Sequence, residues 1–299
     1  MKKVVLIKGS NGAVAKYLTK QLGDDYSIRF LTRNVKSKNE YLWDINNNYI
    51  DPKALIGVNY IIHLAGSSIV KKWTDRNKQN ILSSRVDSSL LLLEEFKKHK
   101  IKIDAFISAS AVGYYGAVTS EEIFNEKSSK GKDFLSDVCS QWENAAHQYK
   151  SSGVAARVSI ARIGVILSKN SGFLEKIMKP IKYGLGSAIG TGDQYMPWIH
   201  IEDLCGIFRF ILNNKHIDGT FNAVAPEHIT NIEITKRIGN ILGKKIILPN
   251  IPKFVLKAIF GKMSIIFLEG SRVSSKKIID KGYSFKYDTS KKALNNLLK

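Results

Sequence analysis

Val4-Val5-Leu6-Ile7-Lys8-Gly9-Ser10-Asn11-Gly12-Ala13-Val14-Ala15 is the stretch on which the fold turns. Its first four residues form an apolar, β-branched run, the pattern of a strand buried on both faces. After the glycines, Val14, Leu18 and Leu22 recur at helical spacing. A glycine turn therefore joins a strand to a helix at the very start of the chain. Such a turn directs backbone N–H groups and the positive end of a helix at one point, which suits a pyrophosphate. Gly9 permits the tight turn, Gly12 lets the backbone approach the phosphates, and Ala15 keeps the helix close to the strand. The pattern is G-x-x-G-x-x-A, not the longer G-x-G-x-x-G.

The chain has 299 residues, 44% of them hydrophobic, enough for a large core. Its two cysteines, Cys139 and Cys205, give no disulfide framework and favour a reducing compartment. The N-terminus shows no signal or transit pattern. The apolar segment 254–268 is broken by Lys257, Gly261 and Lys262, too short and too charged to span a bilayer. These features predict a cytoplasmic protein with no membrane partner. The net charge of +20 and a pI near 9.7 raise the question of nucleic acid. The lysines are scattered in ones and twos along the chain, with no basic helix and no zinc spacing, so a lysine-rich surface is expected instead.

Outward from the turn, Ser27–Arg33 alternates as a second strand ending in Thr32 and Arg33. At that strand end an acidic residue favours NAD, whereas Arg33 suits the 2′-phosphate of NADP. Leu42–Asp44 reads as a third strand, with Asp44 either near the adenine or in a loop. Residues 58–66 read as a fourth strand ending in Leu64, Ala65 and Gly66, small enough for a cofactor to lie against them. His63 within it reads as a core residue. Residues 74–99 read as one long helix carrying Asn80 and Arg85, and Arg85 either reaches the phosphates or caps a carbonyl. A fifth strand runs through Ser108, Ala109 and Ser110 into the turn Val112-Gly113-Tyr114-Tyr115-Gly116. A helix at 133–150 and a sixth strand at 154–160 follow. The alternation predicts an α/β, doubly wound parallel-sheet Rossmann fold. Residues 168–195, rich in glycine, are expected to leave the sheet and build a substrate pocket. Later elements are a helix opened by Pro197–Leu204, a strand at 219–224, a helix at 230–242 with Thr230 as its cap, and a final helix near Thr289. Residues 1–167, with 197–225 returning to them, read as the NADP-binding domain. Residues 168–196 and 226–299 read as a smaller, mainly helical substrate region.

Together Ser83–Arg85, Ser108–Gly116, Pro197–Asp203 and Asn222–Pro226 resemble the extended short-chain dehydrogenase/reductases. The similarity is to their atypical epimerase-family branch, SDR39U1-like or, in bacteria, cell-division-inhibitor-like, and it runs over essentially the whole chain. The last sixty residues resemble that branch's small C-terminal domain. The resemblance implies NADP(H) held by Gly9, Ser10, Asn11, Gly12, Ala13 and Val14, by Thr32, Arg33, Leu64 and Ala65, and by Asn80, Arg85 and Ile166. Gly66, Ser108 and Ala109, at strand ends, are expected beside it. The implied partner is a small-molecule substrate, and a homodimer is left open. No reaction is implied, only the alternatives of an epimerase, dehydratase or reductase and a non-catalytic NADP-binding regulator.

Active members of the wider superfamily pair a strand-five hydroxyl with Tyr-x-x-x-Lys on the next helix, the tyrosine exchanging the proton. Ser110 stands at the hydroxyl position. Counting back from Trp142-Glu143, the tyrosine falls at Leu135 or Phe134 and the lysine at Cys139. The Tyr-x-x-x-Lys matches at Tyr49/Lys53 and Tyr287/Lys291 lie outside that helix and read as chance. Tyr114 and Tyr115, near Ser110, are the better replacement acids, ahead of Asp137 and Cys139, with an aromatic pocket wall as their bland alternative. His200 reads as holding a loop.

Overall fold

The computed structural model describes residues 2–10, 12–169 and 171–299. The apolar run is strand β1 (Lys3–Lys8), with Val5, Leu6 and Ile7 wholly buried. Along the first half of the chain follow α1 (Ala13–Leu22), β2 (Tyr26–Thr32), β3 (Glu40–Asp44), β4 (Tyr49–Ile50), β5 (Val58–His63), α2 (Asp75–Ser83), α3 (Val86–Lys98), β6 (Ile103–Ala111), β7 (Ile123–Phe124) and α4 (Phe134–Ser151). Then come β8 (Ala155–Ile163), β9 (Val165–Ser168), α5 (Gly172–Lys182), β10 (Trp198–His200), α6 (Ile201–Asn213), β11 (Gly219–Ala223) and α7 (Asn231–Ile241). The chain closes with α8 (Lys253–Phe260), α9 (Ile265–Leu268), β12 (Arg272–Val273), α10 (Lys276–Asp280) and α11 (Ser290–Leu298).

Eight strands form one sheet in the order β11-β8-β6-β5-β1-β2-β3-β4. Every pair is parallel except β3–β4. The chain leaves β1 towards β2 and β3 on one side, then returns to β5 on the other. That reversal opens a crevice at the carboxyl ends of β1 and β5, the usual ligand site of an open α/β sheet. Alternate residues of each strand feed the two faces. Val5, Ile7, Ile62 and Ile107 pack with Leu18 of α1 and Phe208 of α6. Leu6, Ile61 and Phe106 pack on the opposite face with Phe96 of α3 and Tyr149 of α4. A separate core joins Leu174 and Ile181 of α5, Trp198, Ile234 of α7 and Leu294 of α11.

Two expectations change. The stretch 74–99 is not one helix. It breaks between α2 and α3, where Arg85 sits at φ −103° and ψ −55°. There the Arg85 N–H donates to Leu82 O, three residues back, and the Ser84 hydroxyl accepts from Ser67 N–H. The glycine-rich stretch 168–195 does leave the sheet, but it carries the ordered helix α5. Its Leu174 and Ile181 are fully buried, so packing outweighs Gly172 and the internal Pro180. The departure from the sheet occurs at Gly164, where a Cβ would lie 2.6 Å from Pro197 O. Only glycine admits that approach, which lets β9 pair with β10.

Candidate functional site

The cleft at the sheet reversal begins with the glycine turn. Gly9 has φ +105°, and a Cβ there would meet Leu64 C and Ala65 N at 3.2 Å. Gly12 N–H donates to Gly9 O at 3.2 Å, and α1 starts at Ala13 with no side chain capping its first turn. Its opening amides therefore remain available to an anion. The turn borders a cavity of about 330 Å³ lined by Gly9, Ser10, Gly12, Thr32, Arg33, Leu64, Ala65 and Gly66, eight of the residues expected to hold the cofactor. Arg33 is exposed, and no carboxylate pairs with it among the described residues. Ala13 and Val14 face the core instead, and Asn11 lies outside the described residues.

Lys8, Leu31, Trp43, Ile45, Ser67 and Ser84 complete the lining, and none of them is among the residues the sequence predicts to hold the cofactor. Lys8 is almost wholly buried, its Nζ 3.7 Å from the Trp43 ring centre and 3.2 Å from His63 Nε2. The Trp142 indole N–H donates to His63 Nδ1, so the proton of the neutral imidazole sits on Nε2. The Ser88 hydroxyl gives its hydrogen to Ser84 O, and its oxygen lies 3.2 Å from that Nε2. A charged ammonium would set hydrogen against hydrogen at Nε2, whereas a neutral amine offers a lone pair. Burial holds Lys8 well below its ordinary value, and burial does the same to His63.

Arg85 lies between this cavity and a second one. Its guanidinium donates to Ile81 O at 2.9 Å and Ser67 O at 3.2 Å, and it lies 5.1 Å from the Trp142 ring centre. It has no carboxylate partner among the described residues, and burial lowers its pKa. Gly66 makes this pose available, since a Cβ there would fall 2.7 Å from Arg85 Cζ.

The second cavity, about 340 Å³, is lined by Arg85, Gly113, Tyr115, Leu135, Cys139 and Trp142 among others. Leu135 and Cys139 thus occupy the wall where the Tyr–Lys pair is absent. Burial, and then Glu143, pushes the Cys139 thiol up to about 12, leaving it protonated at neutral pH. Ser110 is buried behind the wall, and its hydroxyl donates to Glu143 Oε1 at 2.7 Å. Arg162 grips the same carboxylate through Nε at 2.9 Å and Nη2 at 2.8 Å. Its Nη1 donates to the Tyr115 hydroxyl at 3.0 Å, which in turn donates to Asn222 Oδ1 at 2.7 Å. Burial raises Tyr115 to about 12, against Arg162, which pulls it down. Tyr114 packs flat beneath Arg162, whose Cζ is 3.3 Å from its ring centre.

Of the remaining sequence candidates, Asn80, Ser108, Ala109, Ser110, Tyr114 and Ile166 stand outside the lining of both cavities. Asn80 is exposed and offers its carbonyl to Ser67 Oγ. The Ser108 hydroxyl donates to Ala109 O, and Ile166 pairs with Ile199. Asp44 accepts from the loop residues Asn46 and Asn47. His200 caps α6 by accepting from Glu202 N–H and stacks on Tyr287. Among the described residues there is no metal-binding cluster and no helix long and apolar enough to cross a membrane.

A parallel sheet with its reversal at a glycine turn, and a second cavity at the end of β6, define an extended short-chain dehydrogenase/reductase. The chain belongs to the NAD dependent epimerase/dehydratase family, whose model matches residues 5–223. A domain of unknown function, DUF1731, matches residues 251–297. The chain is 31% identical over 299 residues to the epimerase family protein YfhF of Bacillus subtilis, covering 98% of this chain and 97% of that one. It is 33% identical over 306 residues to the chloroplastic SDR39U1 homolog of Arabidopsis thaliana, covering 98% and 86%. The crystal structure of human epimerase family protein SDR39U1 (isoform 2) with NADPH superimposes with a TM-score of 0.86 at 28% identity, covering 98% of each chain.

Proposed function

We propose that this chain binds NADP(H) across the two cavities and carries out redox or epimerase/dehydratase chemistry on a small molecule held in the second. The observation that carries this reading is Arg33, an unpaired cation at the end of β2 on the wall of the glycine-turn cavity. The residues fit the cofactor: Gly9 and Gly12 leave room for backbone approach, α1 offers free amides, and Arg85 stands unneutralised between the cavities. When bound, the nicotinamide supplies hydride transfer. Arg33 meets the 2′-phosphate and gives the preference over NAD(H). Leu135 and Trp142 exclude water from the second cavity. Tyr115, which shares the wall with the hydroxyls of Tyr195 and Ser271, donates its hydrogen bond to Asn222. Two buried, unpaired cysteines fit a cytoplasmic setting.

Calorimetric titration with NADPH and NADH tests this. Arg33→Ala removes a charge-assisted contact of about 1.5–3 kcal/mol, so NADPH affinity should fall roughly 10- to 100-fold while NADH affinity holds. Equal affinities of the unmodified protein for the two cofactors would refute it.

A second reading is favoured by one specific observation. The hydroxyls of Ser110 and Tyr115 are both committed to an ion-paired network, and the nearby thiol is neutral. That suits a non-catalytic NADP(H)-binding regulator, including one acting in cell division. Tight NADPH binding with no turnover across a panel of nucleotide sugars, aldehydes and ketones would select it.

A further inference from the structure

The second cavity is poorly equipped to hold a sugar. Its wall is built from apolar side chains such as Ile69, Leu135, Val138, Trp142, Met196 and Ile266. Most of the polar side chains on it are already engaged, while the Tyr195 hydroxyl has no hydrogen-bond partner among the described residues. Arg85 donates through Nη1 alone to Ile81 O and Ser67 O, and Tyr115 is bound to Asn222 and Arg162. The Ser271 hydroxyl donates to Val118 O, and Glu269 accepts from Thr119 Oγ1 at 2.6 Å. A hexose ring carries several hydroxyls, and each one buried without a partner costs about tenfold or more in affinity.

The same cavity meets a second groove at Glu269, which lines both. This groove, about 600 Å³, is floored by Trp73 and Phe134, packed edge to face with centroids 5.2 Å apart. Lys78 lies over the Phe134 ring at 5.4 Å, and Lys253, Lys257 and Lys262 also line the groove. None of these four lysines is ion-paired among the described residues. The two carboxylates present are occupied, Asp133 by the N–H groups of Ser136 and Ala117 and Glu269 by Thr119. Four lysines against two carboxylates leave the groove with a positive excess beside an apolar chamber.

We propose that the substrate is an amphiphilic organic anion, with an apolar head in the Leu135–Ile266 chamber and its anionic group among Lys253, Lys257 and Lys262. This deepens the preceding proposal and rests on its placing of the substrate in the second cavity. Head size is set by the chamber and charge by the groove, so a neutral head binds without help from the lysines.

Tryptophan fluorescence titration of the full chain provides the test, because Trp142 borders the chamber and Trp73 the groove. The probes are naphthalene-2-sulfonate, neutral 2-naphthol and UDP-glucose, with NADPH titrated separately. Naphthalene-2-sulfonate should bind saturably, and a Lys257→Glu, Lys262→Glu variant should weaken it at least about tenfold while leaving 2-naphthol unchanged. Leu135→Trp, which fills the chamber, should weaken both. The charge-reversed lysines are exposed, so that variant decides the matter even if Leu135→Trp fails to fold. Tighter binding of UDP-glucose than of the sulfonate, no sulfonate binding, or indifference to the lysine reversal would each overturn the proposal. Loss of NADPH binding with sulfonate binding intact would instead count against the cofactor reading alone.

Discussion

Replacing Glu143 by Gln tests whether the hydroxyl of Ser110 serves the fold or the chemistry. Glu143 and Arg162 are both almost wholly buried, with side-chain exposures of 7% and 4%. Burial by itself would lower the Arg162 pKa, but the paired carboxylate outweighs it and holds the guanidinium above its ordinary value. Glutamine keeps the shape yet removes the charge and turns an N–H₂ group towards Arg162 Nη2. Breaking a buried pair from one side costs about 3–5 kcal/mol, because a buried charge loses its counter-ion. For a chain of 299 residues the unfolding entropy is roughly 0.6 kcal/mol per degree, so the melting temperature should drop by about 5–8 °C. Removing both partners, as Glu143→Leu with Arg162→Leu, should cost less than the single change. Circular dichroism melts and urea titrations of the two variants measure this, with NADPH calorimetry as the control for the cleft. A loss below about 1 kcal/mol in Glu143→Gln would refute the reasoning, since the pair would then not be a buried ion pair at all.

Three further outcomes are expected. Burial depresses the pKa of Lys8 in the fold, so between that depressed value and 10.5 the unfolded chain binds a proton that the native state does not. Stability should therefore rise with pH from the depressed native value of Lys8 up to its ordinary 10.5. Lys8→Met should be more stable than the unmodified protein at neutral pH, the gap closing as pH approaches 10.5, as urea unfolding at several pH values will read. Gly66→Ala should drive the Arg85 guanidinium from its seat and weaken NADPH binding by at least about tenfold, the scale of one charge-assisted contact, as calorimetry will show. Burial, followed by Glu143 for Cys139 and Glu202 for Cys205, pushes both thiols up to about 12. Iodoacetamide at about pH 8 should therefore leave both unmodified in the native protein and alkylate both in denaturant, as mass spectrometry will record.

The parts of the site readable from sequence are those whose meaning is local. The glycine turn declares itself because φ and close approach are properties of Gly9 and Gly12, and Arg33 declares itself by ending a strand. Counting along one helix likewise puts Leu135 and Cys139 on the wall where they are found. What escapes is whatever depends on a distant partner. The break in 74–99 is fixed by Ser67, which contacts both Ser84 and Arg85 from outside the helix. Lys8 is one charge in an apolar strand until His63, Trp43 and Trp142 surround it.

Ser110 shows the distinction most sharply. Its position at the end of β6 follows from the sequence, but its role is set by Glu143 and Arg162. Arg162 is its register partner on β8, and Glu143 follows Cys139 by one helical turn on α4. Once the parallel β6–β8 register is known, a serine, an arginine and a glutamate must converge behind the cavity wall. A buried arginine at that point requires an acid, and Glu143 is the acid it finds. The carboxylate that neutralises Arg162 also accepts the hydrogen bond of the Ser110 hydroxyl, so the residue at the expected hydroxyl position serves first as a brace for the ion pair. Whatever chemistry proceeds in the cavity must therefore draw on groups that face it, of which Tyr115 is the hydroxyl tied to the same network.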